Sequence, residues 1–178
     1  VLIAVFAPLI ATHDPYAAVL ADAVQPPSSE HWFGTDKMGR DLFSRVIFGA
    51  RTSLTAAIAL VAIIVVAGTA LGIVAGYFGG IVDSVIMRIA DMMLSFPGLV
   101  LALAVAGIMG ASMKNAIVAV VVVNWTKYAR LGRSLVLKIR HCDYVEAAIV
   151  TGSKTPYMIL HYMLPNALPT LIITAATD

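Results

Sequence analysis

The run from Ser53 to Gly76 constrains everything else in this chain. It carries no charged residue, and its length matches the roughly 20 apolar residues that a helix needs to cross about 30 Å of hydrocarbon. The rest of the chain points the same way. Of 178 residues, 60% are hydrophobic and 12% charged, and the mean hydropathy is +0.91. An ordinary soluble domain is about 45–50% apolar and about 25% charged. A soluble monomer has no surface on which to place such an excess. Intrinsic disorder is excluded by the same numbers. A disulfide scaffold is excluded because Cys142 is the single cysteine. A net charge of +2 gives no argument for nucleic acid as a partner. The class that remains is an all-α, polytopic transmembrane helix bundle.

Residues 1–11 are apolar but too short to cross a bilayer, and they read as the end of a first transmembrane helix. Residues 12–51 are mixed and hold Pro26-Pro27-Ser28-Ser29, a loop signature. Spans are expected near 53–76, 83–109, 116–137 and 166–178, within a core that covers 52–178. Asp83 is the expected N-cap of the second of these, and Pro97 interrupts it. A basic connection, 138–165, precedes the last span. The chain opens and closes inside apolar runs, which reads as an internal piece of a longer protein with its first and last spans truncated. Lysines and arginines set the orientation. Lys37, Arg40, Arg45, Arg51 and Lys114 fall on one face. Arg88, Lys127, Arg130, Arg133, Lys138, Arg140 and Lys154 fall on the other. The second face is therefore expected to be cytoplasmic.

Several patterns within this frame carry chemistry. Gly68, Gly72 and Gly76 recur every four residues on one helix face, where a neighbouring backbone can approach closely. Packing within the bundle is one reading, and contact with a substrate is the other. Arg88 and Asp91 are i,i+3 neighbours able to pair near an interface, although ionisable residues at membrane depth are also functional candidates. In the stretch from Thr35 to Leu54, Leu42, Phe43, Val46, Ile47 and Ala50 share one helical face. Asp41, Ser44, Arg45 and Arg51 leave the opposite side polar. That pattern predicts an amphipathic helix lying in the interface ahead of the 53–76 span.

The stretch from Asp143 to Asn166 is more sharply specified. Asp143 and Glu146 have capping-box spacing, so a short helix is expected to start there. Ala147 and Ala148 give it a small, close-packing face. Gly152 suits the left-handed residue that ends a helix. Thr155 and Pro156 restart one as N-cap and N1, and Pro165 is expected to end it. The product is a helix–turn–helix knob on the basic face. A docking element and an ordinary connecting loop are both compatible with that shape.

These residues carry a resemblance. Glu146-Ala147-Ala148-x3-Gly152-x9-Tyr162-x-Leu164-Pro165 resembles the EAA signature of binding-protein-dependent ABC importer permeases. Tyr162 stands where the signature prefers an aliphatic residue. The segment Thr35-Asp36-x2-Gly39-Arg40-Asp41-x2-Ser44-Arg45-x3-Gly49-x-Arg51-x-Ser53-Leu54 resembles the entry segment of the second permease subunit of dipeptide, oligopeptide and nickel importers. The resemblance covers essentially the whole chain and implies about five of the family's six spans.

The resemblance implies a multi-pass subunit of a bacterial or archaeal cytoplasmic (inner) membrane, forming the pathway of an ATP-driven importer. Di- or oligopeptides are the favoured cargo and nickel or another small solute the alternative. It implies that 138–165 is a cytoplasmic EAA coupling loop, docking a separate ATPase through Glu146, Ala147, Ala148, Gly152, Leu164 and Pro165. Asp36, Arg40, Asp41 and Arg45 would lie on the outer face, near an extracytoplasmic solute-binding protein. The other partners implied are a second homologous permease subunit, cytoplasmic ABC ATPase subunits and membrane lipid. ATP and magnesium would belong to the partner ATPase, with no cofactor in this chain.

Other motifs fall away. Gly152-Ser153-Lys154-Thr155 lacks the first glycine and spacing of a phosphate loop. His13, His31, His141 and His161 show no metal-ligand spacing along the sequence, so no metal site is expected. No Gly-x-Ser-x-Gly or His-Glu-x2-His occurs, and no catalytic residue is assigned. The readings that compete with a transport subunit are an intramembrane enzyme and a non-transporting membrane scaffold or inactive fragment.

Overall fold

The computed structural model describes residues 1–177. Asp178, the last residue of the expected 166–178 span, lies outside them. The described chain is helical, with one isolated antiparallel bridge between Thr35 and Asp41. It divides into two compact units, Val1–Ala59 and Leu60–Asp178.

The first unit begins with two single-turn helices, α1 (Leu2–Val5) and α2 (Ala7–Ile10), and then a loop containing a 3₁₀ turn at Leu20–Asp22. The loop is tied by polar contacts. The Thr35 hydroxyl donates to the Asp22 carbonyl and accepts the Gln25 N–H at 2.8 Å. The loop runs into α3 (Leu42–Phe78), whose first part belongs to this unit and whose remainder belongs to the second.

The amphipathic segment and the first complete span were expected as separate helices; they form one. Nothing between Phe48 and Thr55 breaks the backbone, and Thr52 and Thr55 bond back to the carbonyls of Phe48 and Arg51. At 1.5 Å per residue the helix is about 55 Å long, well beyond the hydrocarbon thickness. Its polar first turns therefore extend the membrane-crossing helix instead of forming a separate one.

The second unit holds α4 (Gly80–Leu94), α5 (Gly98–Met109), α6 (Met113–Arg140), α7 (Asp143–Val150), α8 (Thr155–Met158) and α9 (Leu164–Thr177), with a π-turn at Ile159–Met163. The helix α6 packs against α4, α5, α7 and α9. At several helix contacts small residues are buried while large apolar ones face outward. Ala75, Ala90, Ala119, Ala129 and Ala167 are fully buried, while Leu99, Leu103 and Ile108 on α5 and Ile172 and Ile173 on α9 face outward. Small residues inside and branched ones outside suit a lipid surround, where close backbone approach holds helices together.

The interruption expected at Pro97 is present, and two other expectations change. The 83–109 span is two helices bent by 93°. Pro97 has no N–H and takes an extended ψ of 118°, so the α4 hydrogen-bond ladder cannot pass through it. Asp83 is not an N-cap: Gly79, at φ +63°, takes that place, and Asp83 lies in the first turn of α4.

Pro165 does not end a helix. Thr155–Thr177 is a continuous helical run of 23 residues. The π-turn widens the ladder ahead of Pro165, with the Leu164 N–H reaching back five residues to the Ile159 carbonyl. That wider turn relieves the clash a proline ring makes with the preceding turn.

Two helices, Leu42–Phe78 and Thr155–Thr177, are long and apolar enough to cross a membrane, and a third if the bent pair is one span. The helix α6 does not meet that measure among the described residues, because Lys127, Arg130 and Arg133 follow directly on its apolar first half.

Candidate functional site

The glycine face of α3 meets α6 backbone to backbone. A Cβ on Gly68 would lie 2.7 Å from the Tyr128 Cβ. One on Gly72 would overlap the Ala129 carbonyl and lie 2.9 Å from the Arg133 nitrogen, and one on Gly76 would lie 3.0 Å from the Arg133 carbonyl. Gly132 completes the seam from the other side, against the Thr69 backbone.

Two ion pairs lock α4 to the same stretch of α6. Arg133 grips Asp83 with Nε at 2.5 Å and Nη2 at 2.6 Å, in a two-bond fork. Arg130 pairs with Asp91. The sequence pointed to an Arg88–Asp91 pair within one helix; the fold instead gives Asp91 an arginine thirty-nine residues away. No spacing rule along one chain exposes such a pairing, because it depends on how α4 lies on α6.

The knob after α6 is built on this platform. Val136 and Ile139 at the end of α6 join Val145, Ala148, Met158, Met163, Ala167 and Leu171 in one buried cluster. The α7 start is not the expected capping box. Cys142 is the N-cap and makes no side-chain cap bond. Asp143 and Glu146 sit in the first turn, where their charge favours the helix N-terminus.

The α7 end is a Schellman closure. The Ser153 N–H donates to the Ala148 carbonyl at 3.1 Å and the Gly152 N–H to the Ile149 carbonyl at 3.0 Å, with Gly152 at φ +82°. The second helix starts one residue early, with Lys154 as N-cap. The Tyr77 hydroxyl lies 3.4 Å from the Thr155 hydroxyl, and Arg140 donates to the Tyr77 carbonyl at 3.1 Å. The knob is thus tied to the C-terminal end of α3.

The face the knob presents differs from the expected one. Val145 and Ala148 are an i,i+3 pair turned into the core, where Ala148 is 7% exposed. Glu146, Ala147, Gly152 and Pro165 are exposed, and Leu164 is half-buried. Beside them stand Tyr144, Ile149 and Val150, the last 86% exposed. The signature letters point to Ala147, Ala148 and Gly152; they do not point to Ile149 and Val150, which alternate with the inward residues by helical period alone.

The charged residues of the first unit turn on one another. The Asp36 carboxylate accepts from the N–H groups of Met38 (2.8 Å) and Arg40 (3.1 Å) and from Arg40 Nε (2.8 Å), with Arg45 Nε at 3.7 Å. Partial desolvation works to raise its pKa, but the two backbone bonds and Arg40 outweigh it and hold the carboxyl below its ordinary value. Asp41 is buried rather than presented outward. It caps α3 through the Ser44 N–H at 2.8 Å and takes His31 Nδ1 at 3.0 Å. The repeated polar residues of this motif close the loop onto the helix start, so Asp41 has no surface to offer a partner.

The sequence also left His13, Glu30 and His31 unconnected, and the fold brings them together, with one ligand atom from each within 4.8 Å of the others. Their separation along the chain follows no metal-motif spacing, so only loop closure reveals the group.

A helical bundle with a glycine seam, an ion-paired bent helix and a Schellman-closed knob defines an integral membrane component. Residues 68–178 match the family described as binding-protein-dependent transport system inner membrane component, and the chain belongs to that family. Among its relatives, the chain is 45% identical to the probable D,D-dipeptide transport system permease protein DdpC of Escherichia coli K12, over 99% of this chain and 59% of that protein. It is 42% identical to the dipeptide transport system permease protein DppC of Alkalihalophilus pseudofirmus, over 98% of this chain and 58% of that protein. It is 34% identical to the nickel transport system permease protein NikC of Escherichia coli K12, over 93% of this chain and 60% of that protein. The chain spans about three-fifths of the length of these relatives.

Proposed function

We propose that this chain is the pathway-forming part of a permease subunit in an ATP-driven importer of di- or oligopeptides. The observation that carries the reading is the α7–α8 knob. It is a rigidly closed helix pair with an apolar outer face at Ile149 and Val150, rooted in α6 and tied to the end of α3. An exposed Val and Ile on a short, capped helix suit insertion into a partner's groove. That partner is a separate cytoplasmic ATPase, and closure of the ATPase pair pushes the knob and, through it, α3 and α6. Glu146 steadies α7 by its charge at the N-terminus, Gly152 fixes the turn, and Leu164 and Pro165 set the root of the second helix.

Gly68, Gly72 and Gly76 hold α3 to α6 as one moving body. A second permease subunit completes the pathway. A solute-binding protein delivers cargo to the outer face, where Asp36, Arg40 and Arg45 shape the loop and Trp32 and Met38 are exposed. The names of the relatives at 45% and 42% identity favour peptide cargo, and that of the nickel relative supplies the second reading.

Co-purification tests the docking claim. The full-length parent of this chain is expressed with its neighbouring ATPase subunits as wild type, Val150→Asp and Gly152→Val. Val150 points outward, so its substitution leaves the bundle intact. Gly152 has open space around it but a left-handed backbone that disfavours a Cβ. The ATPase is expected to accompany wild type and to be lost from both variants. Retention by Val150→Asp at wild-type yield would refute the docking face. Uptake of labelled dipeptide against nickel in the assembled system decides the cargo.

A further inference from the structure

The loop of the first unit holds an arrangement that transport does not require. One ring nitrogen from each of His13 and His31 and one carboxylate oxygen of Glu30 lie within 4.8 Å of one another. The two rings sit side by side, with centroids 4.7 Å apart. Each histidine is anchored. The His13 N–H donates to Ser44 Oγ at 3.1 Å, and Ser44 is fully buried in the first turn of α3. The His31 N–H donates to Ser28 Oγ at 3.0 Å, and the residue is buried. Glu30 is exposed beside them.

The supporting contacts orient both rings. Asp41 faces His31 Nδ1 at 3.0 Å. An ionised carboxylate only accepts, so the ring proton sits on Nδ1 and the lone pair on Nε2. A carboxylate holding the far nitrogen of an imidazole is how metal-ligating histidines are oriented and made more basic. His13 Nδ1 lies 3.0 Å from the Thr12 hydroxyl, which donates or accepts equally well and so orients the ring without assigning its proton.

We propose that His13, Glu30 and His31 bind a first-row divalent transition cation, zinc being the best match. Two imidazoles and one carboxylate form a borderline N,N,O set. Calcium and magnesium prefer oxygen throughout, and sulfur-seeking ions find no sulfur in this group. Zinc accepts three such ligands and a water in a tetrahedron. Bonds of about 2.0–2.1 Å place tetrahedral ligand atoms about 3.3 Å apart, so Glu30 must swing inward and the rings settle slightly. The bound ion clips residue 13 to residues 30 and 31 and so fastens the loop onto the head of α3. Long loops gain most from such closure. The clip is independent of the transport reading.

The test uses the full-length permease in its assembled complex, stripped of metal by chelator and titrated with cobalt(II). Cobalt substitutes for zinc and reports four-coordinate N,O ligation through visible d–d bands. Wild type is expected to bind one equivalent, displaced by added zinc. Glu30→Gln and His13→Ala are each expected to weaken it at least about tenfold, the lower end of what even outer-shell changes cost. Zinc is also expected to raise the melting temperature of wild type and not of Glu30→Gln. Glu30 is exposed, so its variant assembles normally even if His13→Ala does not. No d–d bands in wild type would overturn the proposal, and so would equal affinity in wild type and Glu30→Gln, which would place the ion elsewhere in the complex.

Discussion

Substituting Gly72 by alanine adds one methyl group at the tightest point of the α3–α6 seam. The new Cβ would overlap the Ala129 carbonyl and stand 2.9 Å from the Arg133 nitrogen and 3.0 Å from the Ala129 carbonyl carbon. Comfortable contact is about 3.5–4.0 Å, so α6 has to retreat by on the order of an ångström. Every atom met is backbone, and no rotamer change relieves the clash. Overpacking of this kind costs about 1–3 kcal/mol.

The retreat also begins at Arg133, whose side chain holds Asp83 at 2.5 and 2.6 Å, so the α4 lock loosens with it. Gly107→Ala is the control. It adds the same methyl within α5 where nothing lies within 4 Å, and alanine is the better helix former there by about 0.5–1 kcal/mol. Thermal unfolding of the full-length protein in detergent, followed by tryptophan fluorescence and aggregation, reads both. Gly72→Ala is expected to melt several degrees lower, on the scale of about 2–4 °C per kcal/mol, and Gly107→Ala at or above wild type. Equal melting of Gly72→Ala and wild type would refute the close-approach argument.

Other outcomes follow from the same structure. Asp83→Asn leaves Arg133 with a neutral partner, so melting should fall, and Asp83→Arg with Arg133→Asp should recover part of the loss; no recovery would mean the pair is incidental. Pro97→Ala restores an N–H at the bend between α4 and α5, and an increase in helicity by circular dichroism with reduced uptake is expected; unchanged uptake would show that the bend is not used. Asp36 has a pKa below its ordinary value, so its contribution to loop stability is complete above the unfolded value of about 3.9 and is lost as pH falls through the depressed folded value. Trp32, packed on Phe43 with centroids 4.8 Å apart, should report loosening below about pH 4, and Asp36→Asn should reduce that acid step. The remainder belongs to Asp41, whose carboxyl, against the desolvation of burial, is also held below the ordinary value by its bonds to Ser44 and His31; an identical acid profile would refute the Asp36 role.

Helical class and membrane residence were legible in the sequence, because both rest on quantities that sum along a chain. The charge-free Ser53–Gly76 run, the four-residue glycine period and the Gly152 turn are local patterns, and local hydrogen bonding and lipid solvation act on them directly. Helix limits were less legible. The amphipathic start of α3 reads as a separate element because hydropathy changes at Arg51, whereas the backbone ladder responds only to a missing donor or a strained φ and finds neither. Pro165 reads as a stop by rule, and a five-residue widening of the ladder carries the helix through it.

Tertiary structure alone decided which charges meet and which side chains are offered outward. Asp91 takes Arg130 rather than Arg88 because α4 lies against α6. Ala148 faces the core while Val150 does not, because Val136 and Ile139 sit beneath one side of α7. Asp41 is a cap and a histidine partner instead of a surface charge, because the loop folds back on α3. His13 meets Glu30 and His31 for the same reason. Each of these depends on distances between residues far apart in the chain, which no periodicity encodes and only chain closure sets.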